Sequence, residues 1–183
     1  MQTERGELLL PIARAAISCA LGVPRAADET APWLAEPGAC FVTLTQNGEL
    51  RGCIGTLQAY RPLLADVKSN AVSAALRDPR FMPLSAEELD ITAIEVSLLS
   101  PTTAMDVRDE ADALAQLRPG VDGIVFEFDS YRSTFLPQVW EQLPQPRQFM
   151  AHLRRKAGLP DDFWKKGVKL SRYTVTKWSE EKH

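Results

Sequence analysis

Asn47-Gly48 separates two apolar runs, Phe41-Val42-Thr43-Leu44-Thr45 and Leu50-Arg51-Gly52-Cys53-Ile54. Both turn residues tolerate positive φ, so the pair predicts a type I′ turn closing a β-hairpin. A two-residue loop pairs Thr45 with Leu50, Leu44 with Arg51 and Val42 with Cys53. That register predicts Arg51 and Cys53 on one face beside Val42 and Leu44. Leu50 and Ile54 fall on the other face with Phe41.

Around the hairpin, periodicity predicts helices over Glu7 to Leu21 (Pro11 in the first turn), Pro62 to Leu76, Val107 to Leu117 and Pro146 to Ala157. Residues 23–38 read as a loop. Ser85 to Glu88 reads as a short capped turn or helix, and Asp161 to Lys166 as a short helix. Strands are predicted over Ile91 to Leu99, Gly123 to Phe128, Tyr131 to Leu136 and, last, Val168 to Trp178. The strands come as hairpins and neighbouring runs rather than in βαβ alternation. The fold class expected is therefore α+β, a mainly antiparallel sheet flanked by helices with a second, smaller lobe. The expectation is one domain over 1–183 whose two lobes share a cleft, with flexible ends at 1–6 and 179–183.

The formal charge of -3 gives no global basic field, which argues against a general nucleic-acid binder. Leu8 to Leu21 is broken by Pro11, Arg14 and Ser18, too short and interrupted for a membrane span, and no basic leader precedes it. The three cysteines, Cys19, Cys40 and Cys53, are odd in number and match no disulfide framework, so they read as reduced thiols of a cytoplasmic protein. Only two histidines occur, and no Cys-x-x-Cys or His-x-x-x-His spacing is present, so neither a metal site nor a cofactor is expected.

The chemistry concentrates at the returning strand. A thiol becomes a good nucleophile when a nearby cation favours its ionised form. Arg51 is two residues from Cys53 on the same face, about 7 Å in rise. Gly52 and Gly55 mark a bulge or a close approach by a ligand or another backbone, and the backbone N–H groups from Gly52 to Gly55 offer oxyanion donors. The alternative is a small buried cysteine whose glycines shape the sheet. Cys19 and Cys40 read as structural. Asp78-Pro79-Arg80 reads either as a helix terminator with a local ion pair or as an anion-orienting pair. Gln138 offers an amide to a site, though a strand-to-helix corner explains its segment equally well. His152 is the one candidate histidine base, and a solvated histidine on the basic face of its helix explains it better.

Gly38-Ala39-Cys40-Phe41-Val42-Thr43-Leu44, Leu50-Arg51-Gly52-Cys53-Ile54-Gly55-Thr56 and Asp78-Pro79-Arg80-Phe81, with Leu136-Pro137-Gln138-Val139 and Lys156-Ala157-Gly158-Leu159, together resemble the AMMECR domain family. The match runs from about Leu8 to Trp178, and the Arg-Gly-Cys-Ile-Gly-Thr run is its most specific part. The resemblance implies a two-lobed α+β fold in which Arg51, Gly52 and Cys53 line a cleft. It departs from the family pattern at Arg132 to Leu136 and at Leu153-Arg154-Arg155, where a second cysteine often stands. Free-standing chains of this kind resemble members of the AmmeMemoRadiSam system, which implies a Memo-like protein and a radical S-adenosylmethionine protein as partners. Two functions follow as expectations. In one, Cys53 and Arg51 are catalytic in a thiol-dependent enzyme component, with Gly52, Gly55, Thr56, Asp78, Arg80 and Gln138 binding. In the other, the cleft of a non-catalytic module docks a peptide, a small molecule or a partner protein.

Overall fold

The computed structural model describes residues 2–180. The chain runs α1 (Gln2–Ala20), β1 (Ala39–Gln46), β2 (Glu49–Gly55), α2 (Leu63–Leu76), β3 (Ala93–Leu99), β4 (Thr103–Ala104), α3 (Glu110–Gln116), β5 (Gly123–Phe128), β6 (Tyr131–Phe135), α4 (Pro146–Lys156), β7 (Lys169–Tyr173) and β8 (Val175–Ser179). Short 3-10 helices occupy Pro32–Ala35, Ala86–Ile91 and Pro137–Glu141. The strands form two sheets, ordered β2-β1-β3-β8 and β4-β7-β5-β6. The pairs β1–β2, β1–β3, β4–β7, β5–β6 and β5–β7 are antiparallel. This is the α+β architecture expected, with each sheet in one of two compact units, Met1–Leu99 plus Thr176–His183 and Ser100–Val175. No helix among the described residues is long and apolar enough to cross a membrane.

The first unit is built on the Asn47-Gly48 turn, with φ of 52° and 79° at its two residues as a type I′ turn requires. Val42 and Leu44 of β1 are fully buried and join Val67 and Ala71 of α2 and Leu9, Ile12 and Ile17 of α1 in one core. In α2 the buried residues Leu63, Val67, Ala71 and Ala74 recur at helical spacing and give it its apolar stripe. The helix stops at Asp78-Pro79 because the residue before proline avoids the α region. Arg14, buried in α1, donates to both carboxylate oxygens of Glu180 at 2.6 Å each, tying the chain's two ends together. In the second unit Trp140 stacks on Phe149, rings parallel and centroids 3.8 Å apart, over a core of Ile124, Phe126, Leu153 and Leu170.

Several expectations change. Helix α1 starts at Gln2, so Pro11 is interior rather than in the first turn. Gly6 packs under the Trp178 ring, which holds the upstream turn in place. Residues 2–6 are thus helical and Glu180 is anchored, while Met1 and residues 181–183, also expected as loose ends, lie outside the described residues. The strand expected over Val168 to Trp178 is two strands, since Thr174 leaves the ladder and exchanges hydrogen bonds with Ser100 at 2.8 Å. Asp161 to Lys166 makes turns rather than a helix. Phe163 is drawn onto the Phe128 ring at 4.8 Å, and Gly167, at φ 106°, redirects the chain.

Gly52 fixes how closely helix and sheet approach. A Cβ there would lie 2.2 Å from the Ala74 carbonyl oxygen of α2. The close approach anticipated from its glycine is therefore to another backbone. Gly52→Ala is expected to destabilise the protein by about 1–3 kcal/mol, because helix and strand must part to admit one methyl. Urea unfolding measures this, and unchanged stability would mean that α2 is free to shift.

Candidate functional site

Strand β2 is the edge of its sheet, and it carries an irregularity that moves the thiol. Thr45 faces Leu50 as the turn dictates, but the register shifts between Leu44 and Thr45. Leu44 then faces Gly52 and Thr43 faces Cys53, leaving Arg51 as the extra residue of a β-bulge. The expected pairings of Leu44 with Arg51 and Val42 with Cys53 are therefore corrected. Cys53 shares its face with Phe41 and Thr43 rather than with Val42 and Leu44, while Arg51 reaches Glu88, which also accepts from Gln46. The bulge gives the core Gly52, which the approach of α2 requires, and turns Cys53 away from the core.

On that face Cys53 is half-buried, and its Sγ shares a hydrogen bond with Thr43 Oγ1 at 3.2 Å. Its backbone is held from the opposite side. The Cys53 N–H donates to Asp78 Oδ2 at 3.0 Å, and the Cys53 carbonyl accepts from Arg80 Nη2 at 3.4 Å. Both groups point away from β1, so Thr43 and Cys53 form a non-hydrogen-bonded pair, the kind that brings side chains closest. Asp78 and Arg80 take the donor and acceptor that a further strand would take.

The pair itself is a fork. Arg80 Nε donates to Asp78 Oδ1 at 3.0 Å and Nη2 to Oδ2 at 2.7 Å, and the Arg80 N–H adds a bond to Oδ1 at 3.1 Å. Asp78 is buried whereas the Arg80 side chain is 55% exposed. The Arg80 guanidinium and the N–H groups of Cys53 and Arg80 hold the Asp78 carboxyl well below its usual 3.8, outweighing its burial. The bond to Asp78, reinforced by the charge of that carboxylate, raises the pKa of Arg80. Of the two sequence readings of Asp78-Pro79-Arg80, the ion pair is present, and it grips the thiol's own backbone. One of the N–H groups suggested as an oxyanion donor, that of Cys53, is already committed to Asp78.

Arg51 is placed differently from its expected role. Its Nη2 donates to Glu88 Oε2 at 3.0 Å, and only 14% of its side chain is exposed. Its Nη1 is buried with no hydrogen-bond partner among the described residues. The exposed guanidinium attached to the Cys53 backbone is that of Arg80.

Thr56 belongs to a buried network centred on Asp66. Asp66 accepts from Thr56 Oγ1 at 2.7 Å, Arg61 Nε at 2.8 Å, the Cys40 N–H at 2.9 Å and Asn70 Nδ2 at 3.1 Å. Cys40 Sγ lies 3.3 Å from the same carboxylate. Burial, then the charge of Asp66, pushes the Cys40 thiol far up, so it stays protonated and inert. The structural reading of Cys40 holds. Asp66 gave no sequence signal beyond a polar residue on the apolar side of α2. Gly55 lacks a side chain where the Phe41 ring lies, since a Cβ there would sit 2.1 Å from that ring. Gln138 and His152 belong to the second unit, on Pro137–Glu141 and on α4, and His152 is exposed. No cluster of three or more His, Cys, Asp or Glu among the described residues is arranged to hold a metal ion.

The AMMECR1 family profile matches residues 10–178. The chain belongs to the AMMECR1 family. Among the relatives of this AMMECR1 chain is Protein MJ0810 of Methanocaldococcus jannaschii, 37% identical over 186 residues, which cover 97% of this chain and 90% of the relative. A protein of Methanothermobacter thermautotrophicus is 35% identical over 190 residues, covering 99% of this chain and 97% of its own length. Among solved structures, Protein PH0010 of Pyrococcus horikoshii, described as uncharacterised, superposes with a TM-score of 0.78 at 34% identity, covering 97% of this chain and 92% of its own. The family and the fold are thus shared with proteins whose names carry no activity.

The Asp78–Arg80 pair, which clips the Cys53 backbone, is expected to make a pH-dependent contribution to stability. Because the folded Asp78 carboxyl titrates below its unfolded value, the ionised clip is at full strength above about pH 5 and is lost as the pH falls through the folded value. Asp78→Asn is expected to lower the urea midpoint at neutral pH, with the gap to wild type narrowing as the medium is acidified from about pH 5. A gap independent of pH would show that the charge on Asp78 contributes nothing.

Proposed function

We propose that this AMMECR1-family protein is a cysteine-dependent enzyme component in which Cys53 is the nucleophile or the thiol that holds the substrate. The observation that carries the reading is the way Cys53 is presented. Its side chain is accessible and hydrogen-bonded to Thr43, while its backbone is pinned at both N–H and C=O by a salt-bridged pair. A reacting atom held by its own backbone stays oriented, which is what positioning contributes to rate. The supporting cation in this reading is Arg80; Arg51 serves to anchor the bulge through Glu88. By resemblance, the protein acts in the cytoplasm with a Memo-like protein and a radical S-adenosylmethionine protein, which would supply or consume the species handled at Cys53.

One observation favours a second reading, a non-catalytic module that docks a small molecule, a peptide or a partner protein. Among the described residues the hydrogen-bond partner of the Cys53 thiol is the Thr43 hydroxyl, and no histidine, aspartate or glutamate is bonded to the sulfur. A hydroxyl partner suits a docking site as well as it suits a thiol mechanism, which needs a base.

The three thiols give an internal comparison. With iodoacetamide at neutral pH, Cys53 is expected to be alkylated faster than exposed Cys19, and Cys40 to stay unmodified until the protein unfolds. Peptide mass spectrometry reads all three. Cys53 reacting no faster than Cys19, together with a Cys53→Ser protein that still supports the system in cells, would leave the docking reading in place.

A further inference from the structure

Cys53 and the exposed cation beside it hang from the same backbone. The Arg80 guanidinium reaches the Cys53 carbonyl at 3.4 Å, and the thiol is separated from that carbonyl only by Cα and Cβ. Nε and Nη2 of Arg80 are spent on Asp78, the Phe81 ring lies 5.4 Å from the guanidinium carbon, and among the described residues no hydrogen bond occupies Nη1, whose residue is largely exposed. Asp78 is itself buried and takes a backbone N–H on each side, so the fork is held in one orientation rather than floating in solvent. Glu95 stands opposite Thr43 on β3, with its Oε2 accepting from Ser179 Oγ at 2.9 Å, and Glu88 holds Arg51.

We infer that the Cys53 site takes a small oxyanion, a carboxylate or its like, whose charged group docks on the free side of the Arg80 guanidinium with its reactive carbon beside Cys53 Sγ. This rests on the reading of Cys53 as the working thiol and names the substrate class for it. With Nε and Nη2 committed, the two N–H groups of Nη1 remain to meet the oxyanion, reinforced by the guanidinium charge. The substrate's charge and its reacting carbon must lie close together, since Arg80 and the thiol are anchored to one residue. Glu95 would repel an anion that lacked this partner, so the preference depends on Arg80. Asp78 is the positioning residue that fixes the fork.

The test compares two alkylating agents that differ in charge, iodoacetate and neutral iodoacetamide, on the full chain. In each, an Sγ–C bond forms as the C–I bond breaks, iodide leaves with the bonding pair, and the thiol proton goes to buffer. The quantity read is the ratio of the two rates at Cys53, set against the same ratio for a neutral reference thiol, N-acetylcysteine amide. The ratio at Cys53 is expected to exceed the reference by about two- to fivefold at low salt, the size of effect an exposed charge pair supplies, and to shrink as salt is added. Arg80→Gln is expected to bring it to or below the reference, and Arg80→Lys to restore part of it. Continued silence of Cys40 toward both reagents shows that each variant is folded. An equal ratio at Cys53 and at the reference thiol, or one that Arg80→Gln leaves unchanged, overturns the inference. The rate with iodoacetamide alone is a separate readout: a slow Cys53 there defeats the nucleophile reading, whereas a fast Cys53 without charge preference defeats only the choice of an anionic substrate.

Discussion

The hydrogen bond from the Cys53 N–H to the Asp78 carboxylate is the interaction on which the rest of the site depends. An edge strand exposes a row of unpaired donors and acceptors, and proteins blunt such edges in various ways. Here an aspartate and an arginine two residues apart do so at one position, with the carboxylate taking the donor and the guanidinium approaching the acceptor. Asp78 is available for this because α2 ends beside β2, and α2 can lie there because Gly52 presents bare backbone to the Ala74 carbonyl. The helix terminator, the glycine and the thiol are parts of one arrangement. The charge on Asp78 is kept in a buried place by four donors, which is the condition under which a buried carboxylate is tolerated.

The bulge at Arg51 sorts the two cysteines of the hairpin into opposite fates. Cys40 lies on the core side of the unit with a carboxylate at its sulfur, and both burial and charge keep it protonated. Cys53 lies on the other face with a hydroxyl at its sulfur and a cation at its carbonyl. The same element, β1, supplies neighbours to each: the Cys40 backbone to Asp66, and the Thr43 hydroxyl to Cys53. A half-buried thiol and a fully buried one can thus share a hairpin on opposite faces, provided one extra residue turns the second strand over.

Much of this was legible in the sequence where short-range chemistry decides. Asn47-Gly48 located the hairpin, Asp78-Pro79 located the end of α2, and the mixture of hairpins and helices located the fold class. The register was misjudged because a bulge depends on contact with α2, which no local pattern reveals. The placement of the two arginines was hidden for the same reason. Arg51 is near Cys53 along the chain, but Glu88, 37 residues away, claims it. Arg80 is 27 residues from Cys53 and meets it only once α2 is packed. The Asp66 network was invisible as a unit, because its members Cys40, Thr56, Arg61 and Asn70 are ordinary residues until the core brings them together. The division of the last strand at Thr174 left only a small trace, a one-residue change of phase from Val168 and Leu170 to Tyr173 and Val175.

Amide hydrogen exchange at Cys53 measures the central interaction directly. A hydrogen bond to a charged acceptor contributes about 1.5–3 kcal/mol, or roughly tenfold to a hundredfold in exchange protection. The account expects the Cys53 amide to be protected in the wild type and to lose about that much in Asp78→Ala, while the amides of β1 and β3 keep their protection. A Cys53 amide that exchanges freely in the wild type, or that is equally protected without the Asp78 carboxylate, would contradict it.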